Sequence, residues 1–115
     1  MKHAEWDLQV QVVKLLRDAG WVVFHIPNER NSGIADSMRM KAGGVVKGAP
    51  DLIAWDNHGY CWWFELKIPK GKRSVEQECM EDVAHNLRVF YAVIRSIDDI
   101  KKAIQTVDSY EEVLN

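Results

Sequence analysis

Long apolar runs, a surplus of one charge and a cysteine framework are all missing from this 115-residue chain. No stretch approaches the ~20 apolar residues of a membrane-spanning helix, so no membrane association is expected. The N-terminus, Met1-Lys2-His3-Ala4-Glu5, runs into polar alternation rather than the apolar core of a secretory leader. The two cysteines, Cys61 and Cys79, lack CxxC spacing, which argues against a thiolate zinc site or a disulfide scaffold. Each reads as a small buried hydrophobe, and a reducing, cytoplasmic compartment is expected. The histidines, His3, His25, His58 and His85, have neither the H-x-x-x-H spacing nor the Cys partners of a zinc hydrolase. Fifteen Lys and Arg face seventeen Asp and Glu, a formal net charge of −2. A polybasic tail and the overall basicity of many nucleic-acid binders are therefore absent.

What is present suits one small α/β domain spanning residues 1–115 without a linker. Nearly half the residues, 47%, are hydrophobic and five are Trp, enough for a single core without staples. Apolar residues at Leu8, Val12, Leu15, Leu16 and Ala19 predict an amphipathic helix from Ala4 to Ala19, stopped by Gly20. Trp21–Ile26 reads as a buried strand ended by Pro27. Residues 28–49 carry glycines and scattered charge without periodicity, a loop with room for a helical turn near Asp36–Ala42. Asp51–Asp56 and Tyr60–Lys67 read as strands joined by Asn57-His58-Gly59. Ser74-Val75-Glu76-Gln77 has the form of a capping box opening a helix to about Leu87. Val89–Ile94 is a fourth strand, and Ser96-Ile97-Asp98-Asp99 caps a last helix to about Val107, with a turn over Tyr110–Leu114. The order α-β-β-β-α-β-α predicts a mixed central sheet flanked by helices.

The hairpin carries the chemistry. Cys61–Lys67 is apolar on both parities up to Glu65 and Lys67, as in a central strand buried on both faces. Charges at its end need partners, because desolvating an unpaired charge is costly. A three-residue loop usually combines a type I turn with a left-handed residue, the place that Gly59 fills. Asp56 then faces Tyr60, and Asp51 lies opposite Glu65, with Cβ atoms roughly 4.5–5.5 Å apart. Lys67 points to the same face, whereas a two-residue loop would send the two carboxylates to opposite faces. Two such carboxylates repel unless a proton or cation separates them. Mg²⁺, a hard ion content with one or two carboxylates plus waters and a phosphate, suits that position. The competing reading is a structural ion pair of Lys67 with Glu65 or Asp51.

Gly48-Ala49-Pro50-Asp51, thirteen intervening residues and Glu65-Leu66-Lys67 resemble the PD-(D/E)xK nuclease signature. The chain is more closely similar to a stand-alone VRR-NUC domain (virus-type replication-repair nuclease). Glu5 within Glu5-Trp6-Asp7-Leu8-Gln9, Gly43-Gly44 and Ser74-Val75-Glu76-Gln77 match further blocks of that family. The resemblance implies a restriction-endonuclease-like αβββαβ core plus a C-terminal helix. It further implies a Mg²⁺- or Mn²⁺-dependent deoxyribonuclease. Asp51 and Glu65 would be metal ligands, the Leu66 backbone carbonyl a further oxygen, and Lys67 the residue positioning the attacking water. Glu5 would approach as a ligand or outer group, preferred to the nearby Asp7 because the family's Glu precedes Leu-Gln. Gln77 would orient Lys67 or the substrate, unless its amide is spent in the capping box. Stand-alone members resemble Holliday-junction resolvases, which implies branched or duplex DNA as substrate, a homodimer and no nucleotide cofactor. The compartment implied is the cytoplasm of a bacterial or phage-infected cell.

Between Arg39 and Arg73 seven bases accompany three acids, a local positive excess that would draw a phosphate backbone. Arg39, Lys41, Lys47, Lys70, Lys72 and Arg73 are candidate DNA contacts, as are Asn28 and Arg30 after the first strand. The tryptophans mostly fall in strand patterns and read as core. Two other functions compete: a non-catalytic DNA-binding module on a nuclease scaffold, and an accessory protein docking through Glu76, Glu78, Glu81 and Asp82. Those acids also suit the first turns of a helix, where the macrodipole favours them.

Overall fold

The computed structural model describes residues 3–27, 43–44 and 46–114. Among them are helix α1 (His3–Asp18), strands β1 (Val22–His25), β2 (Leu52–Trp55) and β3 (Cys61–Leu66), helix α2 (Val75–Asn86), strand β4 (Phe90–Ile94) and helix α3 (Ile97–Leu114). The sheet order is β1-β2-β3-β4. The first three strands are antiparallel neighbours and β4 lies parallel to β3. A parallel neighbour needs a long crossover, and α2 supplies it.

The expected α/β order is the one found, and so is the hairpin register as far as Leu52. Leu52 pairs with Phe64 and Trp55 with Cys61. One step beyond Trp55 the pairing continues, Asp56 donating to the Tyr60 carbonyl at 2.9 Å. One step before Leu52 it departs from the regular ladder, because the Asp51 N–H goes to the Phe64 carbonyl at 3.0 Å, so Asp51 is not in plain register opposite Glu65 as expected. Gly59, at φ +83°, closes the three-residue loop by donating to the Asp56 carbonyl. The buried Asp56 carboxylate locks that loop. It accepts the His58 N–H at 2.8 Å, the Tyr60 N–H at 3.1 Å and the Trp62 indole N–H at 2.9 Å.

Alternation then sorts the two faces of the sheet. Val23, Leu52, Ala54, Trp62, Phe64, Leu66 and Ile94 point into the main core, which is closed by Val12 and Leu16 of α1 and by Ile100, Ala103 and Val107 of α3. The other parity of β3 and β4 (Trp63, Glu65, Tyr91, Val93) faces α2. The capping box is present as expected: Ser74 Oγ accepts from the Gln77 N–H, and Gln77 Oε1 accepts from the Ser74 N–H. At its other end α2 closes with Arg88 at φ +60°, the Arg88 N–H reaching the His85 carbonyl and the Val89 N–H the Ala84 carbonyl.

Three expectations are corrected. The last helix does not stop near Val107 but runs to Leu114. Thr106 Oγ1 bonds the Lys102 carbonyl and Ser109 Oγ the Thr106 carbonyl, so these weak helix formers stay inside the helix while Tyr110 packs against the core. Cys79 is exposed on α2 rather than buried, because only Ala84 of that helix is fully covered. Trp6 and Trp55 are exposed rather than in the core. The expected loop and helical turn over 28–42 lie outside the described residues.

Candidate active site

The site is built at the Asp51 end of the hairpin. Immediately before it the chain turns through Val46–Ala49, with the Ala49 N–H on the Val46 carbonyl and Gly48 at φ +83°. A positive φ at the third turn residue favours glycine. A second constraint is closer packing: a Cβ at Gly48 would stand 2.6 Å from the backbone carbon and oxygen of Glu76. The Gly-Ala-Pro-Asp run therefore lets the chain pass against the first turn of α2 and deliver Asp51 to the head of β2.

Asp51 is pinned from both sides. Its carbonyl accepts the Ile26 N–H at 2.8 Å and faces His25 Nδ1 at 3.2 Å, and its Oδ2 accepts the Leu66 N–H at 2.7 Å. Burial pushes its carboxyl up to about 6 from an ordinary 3.8, and the negative charges of Glu5 and Glu65 push the same way. The Leu66 N–H and the Lys67 ammonium pull it back. Glu5, Glu65 and Lys67 therefore all act on Asp51, although they come from α1, β3 and the residue just beyond β3.

Glu65 is one of the most deeply buried side chains, 1% exposed. Its carboxylate accepts Tyr91 Oη at 2.6 Å and the Arg73 Nε–H at 3.2 Å. Arg73 is held in turn by Glu81 at 2.8 Å, by the Gln77 carbonyl, and over the Tyr91 ring with 5.6 Å to its centroid. Burial and the Glu65 carboxylate raise the Tyr91 hydroxyl far above its ordinary range, which keeps it a proton donor.

The sequence-predicted residues divide accordingly. Glu5, Glu65 and Lys67 all lie near enough to Asp51 for their charges to act on it; the Leu66 amide, rather than its carbonyl, is the group seen in contact with Asp51. Gln77 is corrected, since its side-chain oxygen is taken by the Ser74 N–H and none of its described hydrogen bonds reaches Lys67. Arg73 is corrected too: only 20% of its side chain is exposed and it points inward to Glu65 and Glu81 instead of out to a phosphate. Lys47 pairs with Glu76 at 3.3 Å, while Lys70 and Lys72 are exposed. Asn28, Arg30, Arg39 and Lys41 lie outside the described residues. Tyr91 and Glu81 were missed. A signal existed for Tyr91, since Glu65 pairs with Val93 and Tyr91 shares that parity, but using it requires the parallel pairing.

The donor set is chemically right for a hard cation. Asp51 and Glu65 offer carboxylate oxygens, and the mutual repulsion at Asp51 is what an added cation would relieve. Among the described residues no cluster of three or more His, Cys, Asp or Glu is arranged to hold a metal. That leaves a partial shell of the kind Mg²⁺ completes with waters and phosphate.

No protein-family model and no curated protein matches the chain. Solved structures do. One described as a VRR_NUC domain is 20% identical, with a TM-score of 0.65, over 88% of this chain and 94% of its own. Another, a VRR_NUC domain protein, is 19% identical with a TM-score of 0.68, over 92% of this chain and 88% of its own. At that identity the fold is what is shared, and the chain has the fold of these VRR_NUC domains.

Proposed function

We propose that this chain is a divalent-metal-dependent deoxyribonuclease that hydrolyses phosphodiester bonds, acting on branched DNA as a homodimer. The observation that carries the reading is the half-buried Asp51 carboxylate at the hairpin end, holding the Leu66 N–H and under the charges of Glu5, Glu65 and Lys67. Asp51 and Glu65 would hold Mg²⁺ or Mn²⁺, with the Leu66 carbonyl and Glu5 as further candidates. When bound, the cation supplies Lewis-acid polarisation of the phosphate and a more acidic water at neutral pH.

The residues of the chain do the positioning. Lys67 holds the attacking water and offsets negative charge as it builds on the phosphate oxygens. The water oxygen forms the new P–O bond, the ester P–O bond breaks, and a proton passes to the departing sugar oxygen. Tyr91 and Arg73 fix the Glu65 carboxylate from behind, so the acid does not have to be ordered when substrate arrives. A branched substrate with two-fold symmetry matches a C2 pair of such sites.

One observation favours a different reading. Arg73 and Tyr91 already satisfy Glu65, as they would in a DNA-binding module that keeps a nuclease scaffold without catalysis. Incubating the wild type and Lys67→Ala with labelled junction, flap, duplex and single-stranded DNA, in Mg²⁺, Mn²⁺ or EDTA, separates the two. Metal-dependent cutting that is lost in Lys67→Ala supports the enzyme. Binding without cutting by the wild type, across all metals and substrates, establishes the module instead.

A further inference from the structure

A cleft of about 500 Å³ opens between α1 and β1, outside the acid cluster but contiguous with it. Among its lining residues are Trp6, Gln9, Val13, Arg17, Val23 and His25. Its volume falls in the roughly 300–1,000 Å³ range of small-ligand clefts. Gln9 is the unusual member. It is only 3% exposed, and its Oε1 has no hydrogen-bond partner among the described residues. A buried acceptor left unpaired is costly and calls for an explanation. Around it the lining is aromatic. Trp6 remains 47% exposed, and its ring meets that of His25 nearly at right angles, 79°, with centroids 6.2 Å apart. An edge-to-face pair covers at most one face of either ring, which leaves aromatic surface open for stacking.

Position completes the case. Glu5 and Gln9 are four residues apart on one face of α1, about 6 Å along the axis. The cleft thus begins within about one helical turn of Glu5, whose charge acts on Asp51. His25, in the cleft, faces the Asp51 carbonyl at 3.2 Å. Arg17, basic in the last turn of α1, stands along the same cleft where the strand would leave.

We propose that the α1–β1 cleft takes an unpaired nucleotide of the substrate strand, its base against Trp6 and His25 and a base N–H on Gln9 Oε1, which is closed off from solvent in the free protein and turns toward the cleft to meet it. Every nucleobase presents an N–H on its pairing edge, and base–aromatic stacking tolerates all four bases. The cleft therefore reads strandedness rather than sequence. This rests on the nuclease reading and gives it a structural origin for a preference for branched or tailed DNA.

The test is fluorescence anisotropy in Ca²⁺, as a non-catalytic divalent ion, with the full chain, using a fluorescein-labelled duplex carrying a short single-stranded tail and a blunt duplex of equal length. The wild type is expected to bind the tailed DNA about tenfold more tightly, the order that one stacked base supplies. Trp6→Ala and Gln9→Leu should collapse that ratio toward one. Urea unfolding of Gln9→Leu provides the second readout: its midpoint should equal or exceed the wild-type value, because the unpaired amide is gone. A lower midpoint would assign Gln9 a structural role and overturn the proposal. So would a wild type that cuts DNA but binds tailed and blunt duplexes equally, or variants that keep the preference, and both outcomes leave the nuclease reading standing. A wild type that neither binds nor cuts either DNA removes both readings together.

Discussion

Replacing Asp51 by Asn should make the metal-free protein more stable at neutral pH, even as it removes a group on which the proposed reaction depends. The cause is the strain recorded at that carboxyl, which burial and the charges of Glu5 and Glu65 raise from 3.8 to about 6. The folded state thus holds this proton more tightly than the unfolded chain does. Between about pH 4 and pH 6 the native state binds more protons than the unfolded state, so this group's contribution to stability falls as pH rises through that window. Above about pH 6 the cost is complete; below about pH 4 it is absent. At about 1.36 kcal/mol per tenfold change in proton affinity, its ceiling is about 3 kcal/mol. Partial solvent access screens the charges, and an observable gain of about 1–2 kcal/mol is the working expectation. Asn can still accept the Leu66 N–H that Oδ2 now takes at 2.7 Å, so the hairpin end is kept. Urea unfolding followed by tryptophan fluorescence, in EDTA at pH 7.5, 5 and 4, measures the gap between variant and wild type. It should be largest at pH 7.5 and close by pH 4. Adding Mn²⁺ at pH 7.5 should stabilise the wild type more than the variant, by mass action on the folded state. A wild type at least as stable as Asp51→Asn in EDTA at pH 7.5, or a gap independent of pH, would refute the electrostatic account of the site.

Other substitutions test how the site is held. Gly48→Ala meets both a left-handed φ and the Glu76 backbone at 2.6 Å; a loss of about 2–4 kcal/mol in urea unfolding is expected, with weaker metal binding by calorimetry. Asp56→Ala strands the His58, Tyr60 and Trp62 N–H donors, and should cost about 3–5 kcal/mol. Arg88→Gly relieves the non-glycine φ of +60° at the end of α2 and should raise stability by about 1 kcal/mol, seen as a higher melting temperature.

Local rules carried the sequence reading a long way. Asn57-His58-Gly59 contains its own turn chemistry, and that turn sets by counting alone the register that runs from Trp55–Cys61 to Leu52–Phe64, one step short of Asp51 and Glu65. Ser74 and Gln77 are three residues apart and cap the same helix. What escaped is whatever depends on chain segments meeting from a distance. Tyr91 lies 26 residues from Glu65 and reaches it only because β4 returns parallel to β3. The extension of α3 beyond Val107 goes with Tyr110 packing against the core, a distant contact, while the Thr106 and Ser109 hydroxyls are merely satisfied by helix carbonyls. Trp6 shows the same limit, since its helical spacing does not say whether anything covers it.

The charge near the site needs the same correction, with a consequence for DNA binding. Counted along the chain, residues 39–73 have seven bases to three acids. In space the acids that matter are partly outside that window: Glu76 neutralises Lys47, and Glu81 shares Arg73 with Glu65. Arg73 therefore serves the buried side of the acid pair and leaves the open side to Lys67, with Lys70 and Lys72 exposed beyond it. A metal-free site of this kind presents little net positive potential to a phosphate, because Asp51, Glu5 and Glu65 oppose the lysines. A bound divalent cation would reverse that sign locally. DNA affinity that is weak in EDTA and rises with a non-catalytic divalent ion such as Ca²⁺ follows from this arrangement. The salt dependence should correspond to few phosphate contacts, so the slope of log K against log salt should be well short of seven bases' worth. Anisotropy titrations at several salt concentrations, with and without Ca²⁺, decide it: a steep slope already present in EDTA would mean that the charge follows the sequence count after all.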